Sequence, residues 1–263
     1  MRAELYQVDA FTNQLFRGNY AAVVPTTEPL AAALMQQIAS ENNLSETAFV
    51  WPLTPNHYQI RWFSPLTEID FCGHATLAAA FVLFSQGAGP VIRFSTQAVG
   101  DLSVRQNETG RIEMDFPLRP AKIANAPATL LAGVSAAPLE VWQSPQAWML
   151  VYANEQQVRE LTTDSAQLKQ LAPYDVVVTA PGLQHDFVSR YFWPANGGDE
   201  DPVTGSIHAA LAPYWAERLG KTELTAFQAS ARGGELWCRL QGDRVLVSGE
   251  AVLYLKGEIQ LPV

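Results

Sequence analysis

Arg61-Trp62-Phe63-Ser64-Pro65 leads through Asp70-Phe71-Cys72-Gly73-His74-Ala75 into a run rich in Ala and Leu, and the chain then does the same again. The second passage is Arg190-Tyr191-Phe192-Trp193-Pro194, then Asp201-Pro202-Val203-Thr204-Gly205-Ser206-Ile207, then another Ala/Leu run. Both read as strand, loop, glycine turn and buried helix. A third pair extends the match: Phe94-Ser95-Thr96-Gln97-Ala98-Val99-Gly100 resembles Phe227-Gln228-Ala229-Ser230-Ala231-Arg232-Gly233. The offset drifts from 129 (Arg61 to Arg190) through 132 (Gly73 to Gly205) to 133 (Gly100 to Gly233). A tandem duplication with small insertions leaves such a drift. Two glycine turns that open two helices can face one another across a cleft, each offering backbone N–H groups to an anion.

The bulk numbers suit that reading. A chain of 263 residues with an internal offset near 130 fits two domains of ordinary size, and 48% hydrophobic residues support two cores. We expect domains at 1–118 and 119–263, with the Pro/Ala-rich stretch 117–127 as linker and the last strand free to pack on the first domain. A net charge of −9 and a pI near 4.9 argue against nucleic acid or an anionic membrane as partner. Two cysteines, Cys72 and Cys238, make no disulfide framework, and the composition suits the cytoplasm. The N-terminus, Met1 to Asp9, alternates like a strand. It shows neither a signal peptide nor a transmembrane run.

Hydrophobic periodicity predicts strands at 3–10, 19–24, 45–51, 57–63, 91–96, 102–105 and 111–116 in the first half. It predicts more at 175–179, 187–192, 224–230, 235–240, 244–248 and 251–255 in the second, after strands within 139–152. Thr27-Glu28-Pro29 reads as the start of a helix running to about 39. Residues 75–84 and 209–219 are apolar on nearly every side, the pattern of a helix in the middle of something. Gly220 takes the C-cap role, and 154–171 reads as one helical stretch. The fold class is α+β: two pseudo-symmetric domains, each a barrel-like curved sheet around a central helix.

The chemistry-bearing residues gather at the repeated turns. Gly73-His74 and Gly205-Ser206 read as paired anion sites at helix first turns, with Thr204 beside the second. A glycine is also what a strand needs where it turns sharply into a buried helix. Glu46, in Leu44-Ser45-Glu46-Thr47-Ala48-Phe49-Val50, puts an acid at the mouth of an apolar strand. Desolvation there raises a carboxyl pKa towards the range of a proton shuttle, although an exposed strand-edge acid reads the same way. Asp201 ends an acidic run four residues before Gly205, and either a catalytic or a capping role fits. His74 lies where a helix dipole disfavours the imidazolium, so a neutral ring able to trade one proton is expected. A histidine that merely caps the turn is the plainer reading. The remaining histidines, His57, His185 and His208, read as structural or surface residues. The mirror of Cys72 is Thr204, and Cys238 is far along the chain, so two-thiol chemistry is not supported. No dinucleotide fingerprint, P-loop, CxxC or HExxH occurs, and the histidines are scattered. Neither cofactor nor metal is expected.

Four segments together resemble one family. They are Phe16-Arg17-Gly18-Asn19-Tyr20-Ala21-Ala22-Val23-Val24, Asn43-Leu44-Ser45-Glu46-Thr47-Ala48-Phe49, Asp70-Phe71-Cys72-Gly73-His74-Ala75-Thr76 and Glu200-Asp201-Pro202-Val203-Thr204-Gly205-Ser206. In order and over the whole chain, they are similar to the PhzF, or phenazine-biosynthesis-like, isomerases. The resemblance implies the diaminopimelate-epimerase fold with its site in the cleft, frequent homodimers, and isomerisation by a proton shift without cofactor. It implies Glu46 as acid and base, with His74, Asp201, Gly73 and Ser206 around a small anionic substrate. The expectation is a cofactor-independent isomerase of a small unsaturated or cyclic carboxylate. The alternatives are a racemase or epimerase, and a carboxylate-binding protein without turnover.

Overall fold

The computed structural model describes residues 2–262. Met1, at the head of the alternating N-terminus, and Val263, at the end of the expected second domain, lie outside the described residues. The chain divides into two compact units. One runs to Asp115 and takes up the chain again from Ser248; the other is Phe116–Val247.

The first unit is built from β1 (Arg2–Ala10), β2 (Asn19–Pro25), α1 (Ala32–Asn42), β3 (Thr47–Thr54), β4 (His57–Phe63), β5 (Glu68–Ile69) and α2 (Gly73–Ser85). They are followed by β6 (Val91–Ser95), β7 (Leu102–Gln106) and β8 (Ile112–Pro117). β1 and β2 are antiparallel, β2 and β3 parallel, β3 and β4 antiparallel, and β4 and β6 parallel. A parallel pair needs a crossover, and α1 and α2 supply the two. β6, β7 and β8 close the run as an antiparallel meander, with Gly100 and Gly110 at positive φ in its turns.

The second unit holds β9 (Lys122–Ile123), α3 (Ala128–Ala132), β10 (Glu140–Gln143), β11 (Ala147–Val151), α4 (Glu155–Glu160), α5 (Ser165–Leu168) and β12 (Asp175–Pro181). After them come β13 (Phe187–Trp193), β14 (Gly198–Asp201), α6 (His208–Leu219), β15 (Glu223–Gln228), β16 (Gly234–Gln241) and β17 (Arg244–Gly249). The pairing order recurs: β10 with β11 antiparallel, β11 with β12 parallel, β12 with β13 antiparallel, β13 with β15 parallel, β15 with β16 antiparallel. The last strand, β18 (Ala251–Gln260), lies antiparallel to β1, as the short β9 does to β10.

The recurrence reaches single side chains. Arg61 grips Glu68 with two bonds, Nε to Oε1 at 2.7 Å and Nη2 to Oε2 at 2.6 Å. Arg190 grips Glu200 in the same two-pronged way at 2.8 and 2.9 Å. Each guanidinium also lies over the ring two residues on, Phe63 at 5.2 Å and Phe192 at 4.9 Å. Each fork ties a long strand to the short strand that precedes the helix.

α2 is buried along most of its length, from Gly73 through Ala80 and at Val82 and Leu83. Its alanines let β1, β2, β3, β7 and β18 approach it closely. On the outer face of that sheet, Met35, Ile38 and Ala39 of α1 pack on Val24, Phe49 and Phe63. In the second unit Leu130, Val158, Leu161 and Leu168 cover the outer faces of Leu150, Val176 and Val178. α6 is buried from His208 to Ala212 and packs on β15 and β16.

Three expectations need correction. The first helix begins at Ala32, not at Thr27-Glu28-Pro29, and ends at Asn42 with Asn43 in the left-handed region. The Thr26 hydroxyl bonds the Glu28 carbonyl instead and holds that stretch as a bend. The stretch 154–171 is not one helix. α4 ends at Leu161 in extended backbone, and Thr163 makes a bridge with Val134. Asp164 then caps a new start by accepting from the Ala166 and Gln167 amides. The stretch 117–127 read as linker contains β9.

Candidate functional site

Glu46 stands one residue before β3, with its carbonyl accepting the Ala22 amide of the neighbouring strand at 2.9 Å. His74 is the second residue of α2. Both are buried, at 5% and 6% exposure, and Glu46 Oε2 lies 2.8 Å from His74 Nε2. Burial is what makes the contact matter, since a pair this close in water would count for little.

The neighbours of His74 decide where its hydrogen sits. Ser45 Oγ donates to the Tyr20 carbonyl at 2.8 Å, so towards His74 Nε2, 3.3 Å away, it can only accept. Nε2 thus faces two acceptors, Ser45 and Glu46. On the ring's other side the amide nitrogen of Asn19 lies 3.1 Å from Nδ1. An amide nitrogen only donates. In the neutral ring Nδ1 therefore accepts and Nε2 carries the hydrogen, with Glu46 Oε2 2.8 Å from Nε2. A second proton on Nδ1 requires the Asn19 amide to turn its oxygen to the ring.

Two electrostatic expectations change. Burial alone would lift the Glu46 carboxyl, but the adjoining His74 brings it below the ordinary glutamate value. Burial works against a charged His74, yet Cys72 first and then the Glu46 carboxylate beside it raise its proton affinity well above the usual histidine value. A contact of 2.8 Å outweighs the helix dipole that was expected to hold the ring neutral. The two groups titrate as a pair. Cys72 completes the cluster, with Sγ 3.4 Å from His74 Nδ1. Burial pushes its thiol up to about 11, so at neutral pH it is a thiol and not a thiolate. Glu46, Cys72 and His74 are the one group of three metal-ligating side chains among the described residues, with donor atoms within 4.8 Å of one another. Glu46 and His74 lie 2.8 Å apart as an ion pair, and Cys72 keeps its proton.

Gly73 opens α2, and no side chain caps the helix there. The second turn differs from the expectation. Gly205, Ser206 and Ile207 precede α6 as a tight lead-in, with the His208 amide bonded to the Gly205 carbonyl and the Ala209 amide to that of Ser206. Neither Gly73 nor Gly205 is among the glycines at positive φ. Left-handed backbone is therefore not why glycine stands at either place.

Asp201 ends β14, opposite Tyr191 of β13. Thr204 Oγ1 donates to Asp201 Oδ2 at 2.5 Å, so Asp201 accepts and Thr204 spends its hydrogen inside the loop. Gln228, fully buried, clamps this segment at both ends: its oxygen accepts the Thr204 amide at 2.8 Å and its nitrogen donates to the Asp201 carbonyl at 2.7 Å. Ser230 adds a bond to the Pro202 carbonyl.

Of the expected residues, Glu46, His74 and Gly73 stand together in the first unit, and Asp201, Thr204, Gly205 and Ser206 in the second. Asn19 and Ser45 lay inside the quoted family segments without a role. Gln146, Tyr191, Asp175 and Gln228 carried no local signal, since their partners are distant in sequence. Cys238 is buried on β16 and His57 and His185 are near other polar groups, each without a place in either cluster.

No described helix is long and apolar enough to cross a membrane. The chain is 48% identical, over 99% of its length and all of the relative's, to an uncharacterised isomerase of Pseudomonas aeruginosa. A PhzF-family protein of Enterococcus faecalis has a solved structure that is 42% identical, with a TM-score of 0.95 over 99% of this chain and all of that one. A hydroxyproline epimerase of Agrobacterium vitis, at 11% identity and a TM-score of 0.60 over 98% and 92% of the two chains, shares the fold. Residues 8–257 match the family described as phenazine biosynthesis-like protein, and the chain belongs to that PhzC-PhzF family.

Proposed function

We propose that this protein is a cofactor-independent isomerase that moves a proton on a small unsaturated or cyclic carboxylate, with Glu46 as both acid and base. The observation that carries the reading is the buried 2.8 Å contact between Glu46 Oε2 and His74 Nε2. A carboxylate held anionic by one strong donor can take a proton from a carbon made acidic by a neighbouring carbonyl or double bond. Once Glu46 is protonated, it can return the proton at another carbon, while His74 remains a donor beside it. Burial of the pair slows loss of the proton to water. Cys72 stays a spectator because its thiol does not ionise near neutral pH.

In the second unit, Gly205, Ser206 and Thr204 are read as residues that bind a small anion. Gly205 leaves room for close approach, Ser206 brings a hydroxyl, and Asp201, tied to Thr204, brings an acceptor. Relatives named isomerases support the reaction class. A net charge of −9 sets the chain against nucleic acid as a partner. The reading extends to the cytoplasm as location and to a homodimer as assembly. A racemase with two thiols is disfavoured, since burial raises the pKa of both Cys72 and Cys238.

The test is a thermal-shift screen of small carboxylates, because a ligand that binds only the folded state raises its melting temperature. Each hit is then followed by proton NMR. A product with the same atoms and a displaced C–H supports the reading; hits bound and returned unchanged contradict it.

A further inference from the structure

The hydroxyl of Ser206 sits at the end of a chain of side chains whose hydrogen-bond directions leave no choice. It begins at Asp175, the first residue of β12. Both of its carboxylate oxygens are occupied: Tyr191 Oη lies 2.7 Å from Oδ2 and Asn196 Nδ2 lies 2.7 Å from Oδ1. A carboxylate accepts, so Tyr191 donates its one hydrogen to Asp175. Its oxygen is then left to accept. The group facing that oxygen is Gln146, the residue just before β11, at 2.8 Å. Gln146 must present its nitrogen there, since its carbonyl oxygen would meet a lone pair. An amide nitrogen has two hydrogens, and the second points at Ser206 Oγ, 3.0 Å away. Ser206 Oγ accepts that hydrogen, so its own is turned away from Gln146.

We propose that Gln146 is a positioning residue that makes Ser206 a hydrogen-bond donor for the ligand, with the direction set by Asp175 through Tyr191. The assignment rests on the reading of Ser206 as a ligand-contacting residue. It also leaves the Ser206 hydrogen for an acceptor on the ligand, such as a carboxylate oxygen.

The same arrangement recurs in the first unit, where it was not required by anything in the second. Asn19 begins β2 as Gln146 precedes β11, and its amide nitrogen faces the helix-start residue His74 as that of Gln146 faces Ser206. In both units a side-chain amide at the head of the first parallel strand faces the residue at or just before the helix start. The helix-start residue is then left to give its hydrogen elsewhere.

Two measurements test this. The first is a neutron structure of the ligand-free protein in D2O. We expect the Tyr191 deuteron on the Asp175 side, both Gln146 amide deuterons directed at Tyr191 and Ser206, and the Ser206 deuteron turned away from Gln146. A Gln146 oxygen facing Ser206 and accepting its deuteron overturns the proposal. The second is a double-mutant cycle on benzoate affinity, using Gln146→Leu, Ser206→Ala and the pair, each checked for an unchanged far-UV spectrum and cooperative melting. Loss of a hydrogen bond to a charged group weakens binding by about tenfold or more. We expect Gln146→Leu to cost about that in the wild-type background and almost nothing in Ser206→Ala, because it acts through Ser206. An equal cost in both backgrounds means that Gln146 only supports the fold there, and overturns the assignment. If the neutron map shows the expected directions while wild-type protein binds no benzoate, the positioning role stands and the carboxylate reading of the site falls.

Discussion

Asn19 directs its amide nitrogen at Nδ1 of His74, 3.1 Å away, and that contact favours hydrogen on Nε2 when the ring is neutral. Replacing the donor by an acceptor should reverse the preference. In Asn19→Asp, a carboxylate faces Nδ1 and favours the doubly protonated ring. Nitrogen NMR of His74 should show Nδ1 unprotonated and Nε2 protonated in the wild type above its raised pKa. In the variant Nδ1 should hold its proton to higher pH. An identical titration of His74 in the two proteins would show that Asn19 does not set the tautomer.

Cys72→Ala should change turnover less than tenfold, equivalent to less than ~1.4 kcal/mol in the barrier. The thiol is buried and its pKa is pushed up to about 11, so it is a poor base at neutral pH. Steady-state rates on a substrate from the carboxylate screen check this. A loss much beyond tenfold in a folded variant would return the thiol to the reaction.

His208 is fully buried, with Nδ1 3.0 Å from the Thr204 carbonyl, and burial pulls its pKa down to about 4. An unfolded histidine titrates near 6.5. Between those values the unfolded chain binds the extra proton and the folded one does not. The stability from keeping His208 neutral is therefore present above pH 6.5 and is lost as pH falls towards 4. The loss is on the order of 3 kcal/mol at most. Denaturation at pH 7 and pH 4.5 should show a larger drop for wild type than for His208→Gln. Equal drops would mean that His208 is not held neutral.

The Glu46–His74 pair has the opposite sense on its histidine side. With Glu46 lowered, its share of stability is present above about 4.5 and lost below it; with His74 raised, its share is present below about 6.5 and lost as pH climbs through its folded value. The two windows overlap between these limits.

Gln228→Leu should unfold more easily by about 1–3 kcal/mol, because it strands the buried Thr204 amide and frees the Asp201 carbonyl from its clamp. Chemical denaturation measures the difference. A variant within ~0.5 kcal/mol of wild type would mean that the loop finds other partners.

Much of this was legible in the residues, and what was not has physical reasons. The paired passages around Gly73 and Gly205 pointed to two like halves because a buried helix after a strand and turn has a strong local pattern. Ala75 to Phe84 could be read as central because it is apolar on every side. The start of α1 was misplaced because Thr27-Glu28-Pro29 has the composition of a helix start, while Thr26 spends its hydroxyl on a local turn. The break at Leu161–Asp164 was hidden because helix formers flank it and the bridge from Thr163 to Val134 is a distant contact. Glu46 and His74 were named, yet their shifts were assigned the wrong way. Each was considered against burial or a dipole alone, and neither pattern tells how close two residues 28 apart will lie. Gln146 went unnoticed for the same reason: its importance lies in Tyr191 and Ser206, which only folding brings to it.

The central claim is that Glu46 carries the proton. The most direct measurement is incorporation of solvent deuterium into a turned-over carboxylate, compared between wild type and Glu46→Gln. The amide keeps the shape and still accepts from His74, but it cannot take up and return a proton. The account predicts deuterium at the new C–H position with wild type. With Glu46→Gln it predicts unchanged binding, turnover lowered by at least about 10²-fold, and no exchange. Near-normal turnover and exchange in Glu46→Gln would contradict it.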